Sequence, residues 1–252
     1  MQINLVMKQS EVFLFEEEAW TILRKSYRII GDFVGSLNII PVLPLKLFPE
    51  EVVFLLENKI ARLVEYNSLE SDNDNFDVNL LEEQRQLYRS NRKRQLESIF
   101  HQIVSSKRSR GDTRTELEIF EHELDKSCKI TGDNMIWPIT LKPQNSISVE
   151  VEYDIYKHTT SLRCAVYKNL WEKGYYITSG KKFGGDFLVY LGDPVSYHAI
   201  FIVKCVEDVE KTIKSCEIVA FGRLGTSVKK KAVIAAMINE KVSYITLNWI
   251  DD

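Results

Sequence analysis

The chemistry-bearing residues of this 252-residue chain gather near its C-terminus. Tyr190 precedes His198, and Gly192-Asp193-Pro194 between them reads as a tight turn. Further on, Arg223, Lys229, Lys230 and Lys231 put four positive charges within nine residues, with no acid among them. Cleaving a phosphodiester without a metal needs three groups. One takes the proton of the attacking oxygen, one protonates the departing oxygen, and one holds the charge that builds on the phosphoryl oxygens. Histidine suits the donor role because its unperturbed pKa lies near ~6.5, and lysine or arginine suits the charge role. The base can be any well-positioned group whose pKa is lowered. RNA carries its own nucleophile, the 2′-hydroxyl, so these residue types fit metal-free RNA cleavage. Each also has a plainer reading: a structural or solvated histidine, a tyrosine capping the core at a strand end, and a solvated lysine face.

The other candidates for chemistry are weaker. Cys128, Cys164, Cys205 and Cys216 form no C-x-x-C pair and sit near no histidine at zinc-ligand spacing. They are expected to be reduced packing thiols. Asp186 and Asp193 are carboxylates in the right region, but neither has a well-placed E-x-K partner of the kind a magnesium nuclease uses. No metal and no cofactor are therefore expected.

The elements that must position these residues are legible in outline. Asp186–Tyr190 and His198–Cys205 read as strands joined by the Gly192 turn, which would bring Tyr190 and His198 to one sheet edge. Before them, Leu162, Val166 and Leu170 recur at helical spacing, with Ile155 and Thr159 as earlier members. Gly174 stands where a left-handed cap is wanted, and Tyr175–Thr178 reads as a strand. After them come a strand at Glu217–Phe221, a short helix at Arg223–Val228, and strands at Lys231–Ile238 and Val242–Trp249. If the penultimate strand has begun by then, alternation turns Lys230 one way and Lys229 and Lys231 the other. Seven of the 11 glycines fall between Gly174 and Gly225, as expected of a site built on turns.

The rest of the chain divides into two further parts. Residues 1–66 read as a small α/β unit: strands at Ile3–Met7 and Val12–Phe15, a helix through Arg28, a helix opened by Pro49-Glu50-Glu51, and a strand at Ala61–Tyr66. Residues 67–148 read as a linker with a long charged helix over Val78–Ser105 and a shorter one near Glu116–Asp125. Arg92, Lys93, Arg94, Lys107, Arg108 and Arg110 there are a solvated face, an import signal or an RNA-backbone contact. Residues 149–252 carry the chemistry. Hydrophobic residues make up 44% and charged residues 27%, ordinary for a globular chain with a core. The net charge of −3 argues weakly against a nucleic-acid partner, but local clustering outweighs bulk charge. The apolar runs are too short to span a bilayer, so a soluble protein of the cytosol or nucleus is expected.

The wording of two segments goes further than residue types. Lys182-Phe183-Gly184-Gly185-Asp186-Phe187-Leu188-Val189-Tyr190, then Gly192-Asp193-Pro194 and His198-Ala199, resembles the signature of the tRNA-intron endonuclease family. Gly222-Arg223-Leu224-Gly225-Thr226-Ser227-Val228-Lys229-Lys230 resembles its second signature. Leu43-Pro44-Leu45 and Pro49-Glu50-Glu51 look like the first domain of the eukaryotic catalytic subunit that cuts the 3′ splice site. The resemblance covers the start and roughly the last hundred residues.

It implies an α/β (α+β) chain: a small N-terminal α/β domain and a C-terminal restriction-endonuclease-like domain with a mixed sheet. It implies Tyr190 as general base on the 2′-hydroxyl, His198 as general acid to the 5′-oxygen and Lys230 as charge stabiliser. The products would be a 2′,3′-cyclic phosphate and a 5′-hydroxyl. Arg223 and Trp249 match a pair that holds an intron base between guanidinium and indole planes. Lys229 and Lys231 join them as RNA-binding candidates. The implied partners are precursor tRNA, a second catalytic subunit and two structural subunits, and the implied location is the nucleus or the cytoplasmic face of an organelle. The last strand is a candidate interface edge. A non-catalytic structural or RNA-binding subunit of the same complex is the alternative.

Overall fold

The computed structural model describes residues 2–8, 10–32, 43–66, 78–128, 148–152, 154, 157–207 and 214–248. The N-terminal sheet starts with β1 (Ile3–Lys8), which pairs antiparallel with β2 (Glu11–Leu14) and parallel with β4 (Ala61–Tyr66). Its strand order is β3-β2-β1-β4-β5, with β3 at Leu45–Leu47 and β5 at Ser148–Glu150. Helix α1 (Glu17–Tyr27) opens on acids and closes on Arg24 and Lys25, as the helix dipole favours. Helix α2 (Pro49–Glu57) has Pro49 in its first turn, and the Glu51 carboxylate accepts the Phe48 amide at 3.2 Å. Both expected helices of this unit are present.

Between β4 and β5 the chain runs out through α3 (Val78–Ser109) and back through α4 (Glu116–Cys128). The charged helix is not solvated all round. Leu96, Ile99 and Ile103 are buried and extend the N-terminal core, and Ile119 and Leu124 of α4 join them. Of its basic residues, Arg92 is buried, Arg94 pairs with Glu17, and Lys107 pairs with Glu123 at 2.7 Å.

The C-terminal sheet has the order β10-β9-β8-β7-β6. Its strands are β6 (Tyr176–Ser179), β7 (Phe187–Tyr190), β8 (Phe201–Cys205), β9 (Lys231–Ile238) and β10 (Lys241–Leu247). All neighbours are antiparallel except β8 and β9, which are parallel and bridged by α6 (Ser215–Ser227). Mixed α/β architecture is thus present in both halves. Alternate rows of this sheet serve two cores. Phe187, Val189, Val203 and Val233 pack with Val166, Tyr167 and Leu170 of α5 (Ser161–Glu172), in one body with the N-terminal core. Leu188, Ile202 and Ala232 pack with Phe221 and Leu224 of α6.

Three local expectations change. Glu217–Phe221 is helix, not strand, because Phe221, Leu224, Gly225 and Val228 recur at helical spacing and meet the sheet, while Val219 and Ala220 face outward. Strand β8 starts at Phe201 rather than His198; the turn that precedes His198 is tied to Asp193 through the amides of Val195, Ser196 and Tyr197, and the Ile200 amide donates to the Val189 carbonyl at 2.8 Å. Helix α5 starts at Ser161, where the Thr160 hydroxyl accepts the Arg163 amide at 3.2 Å. Ile155 of that expected helix lies outside the described residues.

Candidate active site

The site builds on one row at the end of the C-terminal sheet. The ladder pairs Val189 with Phe201 and Phe201 with Lys231. One residue further out, Tyr190, Ile200 and Lys230 occupy the next row, and the Lys231 amide donates to the Ile200 carbonyl at 2.9 Å. Residues of one row leave a sheet on the same side, so Tyr190 and Lys230 both rise on the face that carries α6. Two strand spacings separate their backbones, roughly 9–10 Å. His198 lies two residues before Ile200, exposed, in the connection at the same end. The structure therefore brings the three predicted catalytic residues to one end of the sheet, two from strand ends and one from a loop.

Tyr190 is the last residue of β7 and is half-buried. Its hydroxyl shares a 3.2 Å hydrogen bond with the Thr178 hydroxyl on β6. Burial pushes the phenol above its ordinary pKa, and the Thr178 bond pulls it part of the way back. Lys230 ends the link from α6 to β9. Its Nζ donates to the Val228 carbonyl at 3.0 Å and lies 5.3 Å from the centre of the Phe183 ring. Phe183 belongs to a single 3-10 turn, Lys181–Phe183, closed by Gly184 at φ +63°. At Gly185 a Cβ would meet Ile202 Cγ2 at 2.5 Å and the Val203 carbonyl at 2.9 Å, so glycine is what lets this turn lie on β8. At Gly225 a Cβ would meet the Lys230 carbonyl at 2.8 Å, so the helix reaches the lysine only through glycine.

The other cations are spread around this point. Lys229 is exposed and left-handed at φ 54°, so the strand has not yet begun there and the expected alternation does not reach it. Lys231 is exposed and belongs to the row that faces away from Lys230. Arg223 is exposed on the second half of α6. Trp249 lies outside the described residues.

The two carboxylates of the region sit at opposite ends of β7, and each is held by an arginine. Asp186 accepts Arg163 Nη1 at 2.6 Å and the Cys205 amide at 2.7 Å, and Arg163 Nε reaches Glu50 of α2 at 2.6 Å. Asp193 is held by Arg24 at 2.7 and 3.0 Å. Among the described residues no three His, Cys, Asp or Glu side chains converge. Cys164 and Cys205 are half-buried, with burial raising the first thiol to about 11 and the second further, whereas Cys216 is exposed.

Comparison with known proteins gives this geometry a context. Residues 160–244 match the tRNA intron endonuclease, catalytic C-terminal domain, and residues 3–66 match the TSEN34-like, N-terminal domain. Residues 160–244 thus form a domain of the tRNA-intron endonuclease family. It is similar to the tRNA-splicing endonuclease subunit Sen34 of Homo sapiens, 46% identical over 35% of this chain and 28% of that protein. It is also similar to the probable tRNA-splicing endonuclease subunit sen34 of Schizosaccharomyces pombe, 26% identical over 91% of this chain and 85% of that protein. A tRNA-splicing endonuclease of Saccharolobus islandicus is 39% identical over 34% of this chain and 47% of its own length. The match thus spans under a third of the human relative's length.

The tRNA-intron endonuclease match in this chain contains α5, α6, β6 to β9 and the first half of β10, and the second match contains β1 to β4. Helices α3 and α4 fall between the two. Sequence reasoning named Tyr190, His198 and Lys230 as a candidate triad but gave no role to Thr178 and Phe183 beside them, nor to Arg24 and Arg163, which hold the two carboxylates. A signal existed for Arg24. It stands one turn from Trp20 and beside Leu23, on the face of α1 that becomes core.

Proposed function

We propose that this chain is the catalytic subunit of a tRNA-splicing endonuclease that cuts intron-containing precursor tRNA at the 3′ splice site without a metal. Tyr190 takes the proton of the 2′-hydroxyl as it attacks the adjacent phosphorus, a role that requires positive charge at the site to counter the burial that raises its phenol. His198 gives a proton to the 5′-oxygen as the P–O bond breaks. Lys230 neutralises the charge on the phosphoryl oxygens. The bond formed is 2′-O–P and the bond broken is P–O5′, so the products are a 2′,3′-cyclic phosphate and a 5′-hydroxyl. Arg223 and Trp249 hold an intron base between them, and Lys229 and Lys231 contact the backbone. Precursor tRNA, a second catalytic subunit and two structural subunits are the partners, and the complex works in the nucleus.

The observation that carries this reading is the shared row of Tyr190 and Lys230, with the His198 connection at the same end of the sheet. A magnesium-dependent route would draw on Asp186 and Asp193, which are a strand length apart and engaged by Arg163 and Arg24. The test is cleavage of an intron-containing precursor by the reconstituted complex, with His198→Ala and EDTA arms. One cut should disappear with His198→Ala, and both should survive EDTA. If both cuts persist in the variant, the catalytic reading fails and a structural or RNA-binding subunit takes its place.

A further inference from the structure

Asp193 organises the connection that carries His198. Its Oδ1 accepts the Val195 amide at 2.9 Å, and its carbonyl accepts the amides of Ser196 at 2.9 Å and Tyr197 at 3.0 Å. Three successive amides are tied to one residue, and the next residue along is His198. The same carboxylate receives both prongs of a guanidinium from α1: Arg24 Nε to Oδ2 at 3.0 Å and Nη2 to Oδ1 at 2.7 Å. Arg24 is 2% exposed and Asp193 14%. The guanidinium carbon lies 5.6 Å from the Trp20 ring centre, and Nη1 is buried with no partner among the described residues.

Stability alone does not account for such a pair. Desolvating two charges offsets most of their attraction, and well-packed apolar residues of similar volume commonly do as well or better. The unpartnered Nη1 adds a further cost. What an apolar pair cannot do is hold one carboxylate at a set position and rotation, which a two-pronged guanidinium does. Connections between strands are ordinarily the looser parts of a domain. This one is clamped from outside its own sheet, by a helix of the N-terminal unit.

We propose that Arg24 is a positioning residue for His198: by gripping Asp193 it fixes the 193–197 turn, so the N-terminal domain sets the geometry of the proton donor in the C-terminal domain. The inference rests on His198 as the general acid. The test uses the full chain assembled with its partner subunits and an intron-containing precursor, with the two cuts measured separately under single turnover. The variants are Arg24→Met, Arg24→Lys, Asp193→Asn and the Arg24→Met/Asp193→Asn double, beside His198→Ala.

Arg24→Met and Asp193→Asn should slow this chain's cut about 100-fold, the size expected when a catalytic group moves by about 1 Å, with half-saturating RNA changed less than about threefold. The other cut should be untouched. The double variant should lose no more than either single, because the pair acts as a unit. Arg24→Lys keeps the charge but not the fork and should fall between. Amide exchange at Val195, Ser196 and Tyr197 should quicken in Arg24→Met. An Arg24→Met complex that cuts at the wild-type rate, or loses only RNA affinity, overturns the proposal. If that variant does not assemble, Asp193→Asn decides by the same readings. His198→Ala leaving both cuts intact sinks the acid assignment itself. Loss of a cut in His198→Ala with normal Arg24→Met and Asp193→Asn sinks only the positioning role.

Discussion

Replacing Tyr190 by Phe separates the two things its phenol can do. In the folded chain the hydroxyl shares a 3.2 Å bond with Thr178, whose side chain is 1% exposed. Losing that bond and leaving the Thr178 hydroxyl short of it should cost about 1–2 kcal/mol. A chain of ordinary stability, about 5–15 kcal/mol, remains more than about 99% folded after such a loss. Its melting temperature falls by about 2–8 °C. The kinetic effect is larger. A positioned general base contributes about 100- to 10,000-fold, which is about 2.7–5.4 kcal/mol of barrier. Thr178→Val is the control, because it removes the same hydrogen bond and keeps the phenol. The assay is single-turnover cleavage of precursor tRNA by the assembled complex, read at the cut proposed for this chain, with melting curves for both variants. Similar melting losses but at least a 100-fold gap in rate is the expected outcome. Equal rate losses in the two variants, or Tyr190→Phe within about threefold of wild type, would refute the base assignment.

Two further outcomes follow from neighbouring observations. Lys230→Met should reduce the cleavage rate by about 100- to 1,000-fold, as loss of a single charge-stabilising donor does. Lys229→Met and Lys231→Met should instead weaken RNA affinity and each lower the salt slope by about 0.7–0.9; equal kinetic losses at all three positions would refute the choice of Lys230. The second concerns stability and pH. Burial raises the Glu51 carboxyl from 4.5 to about 8, against three backbone N–H groups that favour its ionised form. Between those values the folded chain keeps a proton that the unfolded chain has released. Its contribution to stability is therefore complete below about 4.5 and is lost as pH rises to about 8, by up to about 1.4 kcal/mol per unit. Denaturant unfolding of wild type and Glu51→Gln from pH 5 to 8 should show that falling difference, and parallel curves would refute it.

The parts of the fold that the sequence discloses are those whose cause is local. Pro49-Glu50-Glu51 starts a helix by its own chemistry, and Ala61–Tyr66 and Lys231–Ile238 are strands at the expected bounds. Asn239 and Glu240, both at positive φ, make the two-residue turn that joins β9 to β10. Errors arise where a distant partner decides. The run Ile218-Val219-Ala220-Phe221 is strand-like by composition, and it is the sheet beneath Phe221 and Leu224 that makes it helical. The His198 segment alternates acceptably for a strand, but the chain just before it is folded as a turn on Asp193 and the strand begins only at Phe201.

The same distinction explains what was legible of the site. Tyr190, His198 and Lys230 can be named from motifs because motifs run along the chain. What orients them crosses it: Arg24 to Asp193, Arg163 to Glu50 and Asp186, Lys230 over Phe183. Both arginine clamps join the N-terminal unit to an end of β7. Arg24 of α1 grips the connection beyond Tyr190, and Glu50 of α2 holds Arg163 on the turn before Phe187. A single short strand, Phe187–Tyr190, is thus fixed at each end by a buried charge from the other half of the chain. The N-terminal unit contributes no residue to the proposed triad, yet two of its helices reach the residues that flank that strand, Asp193 through Arg24 and Asp186 through Glu50 and Arg163. A C-terminal domain expressed without residues 1–66 would leave Asp193 without Arg24 and Arg163 with Asp186 but without Glu50, so the triad would be present with both of its braces from the N-terminal unit gone.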